Sequence, residues 1–70
     1  MAESKLAEMR KADGLRQLQL ANAIGVTPGS ISMWERGLAR PEVTQILPLA
    51  ATLQVSAEEV LRVFQRKEGE

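Results

Sequence analysis

The chain has 70 residues, 44 % of them apolar, with nine basic against nine acidic side chains and no histidine or cysteine. That is enough for one small domain with an aliphatic core, but it excludes disulfides, Cys/His metal centres and His- or Cys-based catalysis. No apolar run approaches membrane-span length, and the start MAESKLAEMR lacks a signal-peptide pattern, so a cytoplasmic chain is expected. Charge is unevenly spread: residues 14–41 carry Arg16, Arg36 and Arg40 against Glu35 alone, while residues 42–70 are acid-rich.

Taken in order, the first helix is expected over about Ser4–Asp13, with Leu6, Met9 and Arg10 on one face and Gly14 as the stop. Leu15 covers the core before a second helix that begins near Arg16 or Gln17 and lines Leu20, Ala21 and Ile24 along one face. Arg16 is a poor N-cap there. Gly25 supplies a turn. Thr27 then reads as an N-cap and Pro28 as a first helical residue, with Val26 and Ile31 as a hydrophobic staple, opening a helix over 28–36 that Gly37 ends. Helix, glycine-containing turn, helix over 17–36 is the helix-turn-helix arrangement. Trp34, three residues after Ile31, belongs on the inward stripe.

Pro41 follows in a real connection. A fourth helix is expected over about Val43–Leu53, with Val43, Ile46, Ala50 and Leu53 on one face, Leu49 beside them and Pro48 inside it; Thr44 is an alternative N-cap. Ser56-Ala57-Glu58-Glu59 is a capping box that opens a fifth helix, stapled by Val55 and Val60 and reaching about Arg66. One domain over 1–66 and a disordered tail over 67–70 are therefore expected, all-α, as a compact five-helix bundle.

The motif Leu15-x-Gln17-x-x-Leu20-Ala21-x-x-Ile24-Gly25-Val26-Thr27, then Ile31-x-x-Trp34-Glu35-Arg36-Gly37, Pro41, Leu49-Ala50-x-x-Leu53 and Val55-Ser56-x-Glu58-Glu59, resembles the phage repressor and Cro type (Xre-like) of helix-turn-helix domain. The likeness spans most of positions 5 to 64. It implies a lambda-repressor-like fold and a small bacterial or phage transcriptional regulator, a repressor that binds double-stranded DNA as a homodimer. The helix over 28–36 would then enter the major groove. By the same resemblance Arg16 and Gln17 would meet phosphate, Thr27, Pro28, Gly29, Ser30, Ser32 and Met33 would face bases or backbone, and Arg36 and Arg40 would meet phosphate. Arg10 and Glu35 would form a structural ion pair, and Leu61 or Val63 a dimer seam.

The base-facing positions carry no Arg, Lys, Asn or Gln for a bidentate base contact. Ser30 and Ser32 read a base edge permissively, and Met33 offers an apolar contact such as a thymine methyl. Modest specificity is expected, resting on DNA shape and water. The zero net charge and the exposed-side Leu18 suit a second reading, a protein-interaction or antitoxin-like accessory module on the same fold. Nothing points to an enzyme, a cofactor, a metal or a small-molecule ligand.

Overall fold

The structure, a computed structural model, describes residues 4–64. Five helices make it up: α1 (Lys5–Ala12), α2 (Gln17–Ile24), α3 (Pro28–Glu35), α4 (Val43–Leu53) and α5 (Ala57–Phe64), with no strand among the described residues. The expected extension of α5 to Arg66 and the tail after it lie outside the described residues.

Each helix starts where a side chain or a neighbouring backbone satisfies its orphan donors. Ser4 Oγ accepts from the Ala7 amide at 3.1 Å, so α1 begins one residue later than Ser4 itself. At α2 the cap position falls to Arg16, which cannot accept; Gln19 Oε1 instead accepts the Arg16 amide at 2.8 Å, half of a capping box. Thr27 Oγ1 accepts from the Ser30 amide at 3.1 Å, with Pro28 next in line. The N-cap of α4 is Glu42 rather than Thr44, and Gln45 Oε1 accepts its amide at 2.8 Å. The Ser56–Glu59 box forms in both directions, at 3.1 and 3.3 Å.

The helix ends follow from φ. Gly25 takes φ +78°, closing α2 with the Val26 amide on the Ala21 carbonyl at 3.0 Å. A Cβ at Gly25 would meet nothing within 4 Å, so the left-handed backbone alone requires glycine there. Gln54 does the same work after α4 at φ +60°, a conformation its residue type disfavours, and its carboxamide donates to Asp13 Oδ1 at 3.3 Å. Helix α3 ends at Glu35, one residue earlier than expected, with Arg36 as its C-cap and Gly37 left-handed.

α2 packs on α3 and α4, α4 packs on α5, and α1 closes against α3 and α5. Leu6, Leu20, Ile31, Leu49 and Val60 are the largest fully enclosed side chains, and Trp34 is buried beside them. Two sequence expectations need correcting. Val43 does not face the core: it is 86 % exposed, because the first residue of α4 lies beyond the helices that cover Ile46, Leu49, Ala50 and Leu53. Val63 packs partly against the core together with Phe64, so of the two seam candidates only Leu61, at 49 %, stands outward. Helix α4 runs through Pro48, where the missing N–H leaves the Thr44 carbonyl without its helical donor.

Candidate nucleic-acid interface

The interface starts from the only buried charged side chain among the described residues, Arg10 on α1. Its Nε and Nη2 donate to Glu35 Oε2 and Oε1 at 2.5 and 3.2 Å, a fork-to-fork pair, and its Nη1 donates to the Leu15 carbonyl at 2.8 Å. Both side chains are 9 % exposed. Gln17, the first residue of α2, adds its Nε2 to Glu35 Oε1 at 2.9 Å. The Arg10–Glu35 pair thus joins α1, the 13–16 connection, the start of α2 and the end of α3. Every buried side-chain polar atom among the described residues has a partner.

This arrangement alters the electrostatics read from sequence. Glu35 is the only acid in residues 14–41, and the fold turns it inward and neutralises it. Arg16 and Arg36 flank the α2–α3 unit and are exposed, and Arg40 is exposed in the connection after it. An anion that approaches this side meets the exposed Arg16 and Arg36, although the whole chain is neutral.

On α3 the buried Ile31 and Trp34 define the inward side. Gly29, Ser32, Met33 and Arg36 lie opposite, at i, i+3, i+4 and i+7, and form one outward stripe. Thr27 and Pro28 are exposed at its open end. Ser32 and Ser30 are both half-buried, and Ser30 differs in that its hydroxyl is within 3.1 Å of Thr27 Oγ1, so it serves the cap. Arg16 stands exposed at the start of α2, with no side-chain cap bond. Gln17 is half-buried, with one carboxamide hydrogen on Glu35 and a second left to offer. Arg40 lies in the α3–α4 connection between two hollows, one lined by Trp34, Glu35 and Gly37 at the end of α3 and one by Val43, Ile46 and Leu61 on α4 and α5. Gln17 is tied to the end of α3 through Glu35, and Arg40 borders the end of α3 on one side and α4 and α5 on the other.

Sequence reasoning missed the bond between Gln17 and Glu35, which lie 18 positions apart with no local signal. It also missed Leu47, 70 % exposed, one turn after Val43 on α4. Among the described residues no group of His, Cys, Asp or Glu could hold a metal ion, and no helix is long and apolar enough to cross a membrane.

A helix laid across a glycine turn onto a second, outward-reading helix, held by a buried ion pair and fringed by arginines, defines a helix-turn-helix DNA-binding domain. A family model described as Helix-turn-helix, of the Cro/C1 type, matches residues 6–60, and the chain belongs to this phage repressor and Xre-like family. Its five-helix build fits the lambda-repressor-like fold. Membership makes it a DNA-binding regulator in general terms. No curated protein matches the sequence.

Proposed function

We propose that the protein is a small transcriptional repressor that places α3 in the major groove of double-stranded DNA and acts by occupying its site. The observation that carries this reading is the inward turn of Glu35 onto Arg10, which leaves Arg16 and Arg36 exposed at the ends of the α2–α3 unit, with Arg40 exposed in the connection that follows. Affinity then comes chiefly from phosphate contacts by these arginines and by the second hydrogen of Gln17. Thr27, Pro28, Gly29, Ser32 and Met33 meet the groove itself. Specificity is modest, because none of Thr27, Pro28, Gly29, Ser32 and Met33 can form a bidentate base contact, and Arg36 at the end of the stripe is given to phosphate.

The test is a titration of mixed-sequence duplex at about 50 mM salt, followed by amide shifts, where nonspecific binding is strong. Shifts gathered at Gln17, 27–33 and 36–40 support groove docking; none at all refutes it. An Arg36→Ala variant is expected to bind all sequences more weakly and to lower the slope of log K against log salt by about one. An unchanged slope removes Arg36 from the phosphate contacts.

The repressor works as a homodimer, since a two-fold pair matches the dyad of duplex DNA and sets two α3 helices about 34–36 Å apart. The seam is made by the exposed apolar side chains of α4 and α5, Val43, Leu47 and Leu61. Leu47→Glu, an exposed change that leaves the fold intact, is expected to give a monomer by sedimentation; a dimer that persists moves the seam elsewhere. The same exposed side chains favour the second reading, a protein-interaction module, which a tight heterologous partner together with silence toward DNA would establish.

A further inference from the structure

Gly29 is the second residue of α3 and has ordinary negative-φ backbone, unlike Gly14, Gly25 and Gly37. A Cβ built on it would meet only Thr27 Oγ1, at 3.8 Å, an ordinary contact. The fold therefore has room for alanine at this position, and glycine weakens the helix with no return inside the chain. Gly25 makes the contrast, since its left-handed φ does demand glycine. Whatever profits from bare backbone at 29 lies outside the protein. One turn further along the same outward stripe stands Met33, 41 % exposed, an unbranched and polarizable side chain with no useful donor. Its stripe neighbours are Ser32, with a single small hydroxyl, and Arg36 at the far end of the helix.

We infer that α3 lies unusually close in the major groove, with the Gly29 backbone against the duplex and the Met33 thioether chain against the C5-methyl groups of thymine. This rests on the DNA-binding reading above and names what that surface reads: the methyl groups of the groove rather than its hydrogen-bonding edges. Glycine sets the depth of approach and methionine fills the gap with apolar contact. An α3 held further out by a side chain at 29 leaves Met33 in water.

The experiment compares two duplexes of about three helical turns, one of alternating A·T and one of alternating A·U. Phosphates and hydrogen-bonding groups are the same in both; only the methyl groups are gone. The protein is expected to bind the thymine duplex about fourfold more tightly for each methyl contacted. Met33→Ala, an exposed change, is expected to bind both duplexes alike, at the wild-type affinity for uracil. Gly29→Ala is expected to raise the melting temperature by about 2–4 °C and yet to bind both duplexes more weakly. Equal wild-type affinity for the two duplexes, or a thymine preference that survives Met33→Ala, overturns the methyl contact. Undiminished binding by Gly29→Ala overturns the close approach. Failure to bind either duplex at about 50 mM salt overturns the DNA-binding reading and this inference with it, and is told apart from the other outcomes by that silence.

Discussion

A Glu35→Ala variant is expected to lose about 3–5 kcal/mol of folding stability, because it leaves the Arg10 guanidinium buried with no counter-charge. A domain of this length holds about 4–10 kcal/mol in total, so the variant sits at the edge of folding at 37 °C. The loss should persist at high salt, since a pair 9 % exposed is little screened. The exposed pair of Glu58 and Arg62, at 3.1 Å, gives the opposite case: it contributes about 0.3–0.5 kcal/mol and fades with salt. Urea titrations of both variants at two salt concentrations measure the contrast. A loss under about 1 kcal/mol at Glu35 would show that water reaches the guanidinium. The paired change Arg10→Met with Glu35→Leu separates charge from geometry. If uncompensated charge is the cause, the double variant recovers most of the loss, although the Leu15 carbonyl and the Gln17 carboxamide still lose their partners.

Ile31→Ala is the second large effect, expected to cost about 2–5 kcal/mol by lost burial and an unfilled cavity. Ile31 is fully enclosed, and it is the residue through which α3 sits down on the core beside Trp34. Ile31→Val, which removes one methylene, should cost only about 0.5–1.5 kcal/mol. The pair of values, from denaturant midpoints, tests rigidity as well as stability. A loss at alanine no larger than that at valine would mean that α3 slides inward to fill the space, and a helix that can slide is poorly suited to present a fixed stripe to a groove.

Much of this architecture is written locally. Thr27 with Pro28 and Ser56 with Glu59 each announce a helix start through atoms no more than three residues apart, and both caps form, while Ser4, read only as the start of α1, proves to be its cap. Gly25 and Gly37 mark ends for an equally local reason, their positive φ. What escaped lies between elements. Gln54 ends α4 in a left-handed conformation that nothing in its type suggests. Val43 has the spacing of a core residue but no neighbouring helix to cover it, and Val63 has a cover that spacing alone could not supply. The candidate interface divides in the same way. The outward stripe of α3 follows from helical periodicity once Ile31 and Trp34 are placed inward, whereas the hold of Glu35 on Gln17 depends on where three helices meet.

Trp34 has one consequence of a different kind. It is the only tryptophan in a chain that has no tyrosine, and it is buried on the inner side of α3. Ultraviolet emission from this protein therefore comes from one indole, with no second emitter to blur it. A red shift of that band reports the lifting of α3 from the core, so the seating of the groove-reading helix can be followed by light alone, without a dye or a label.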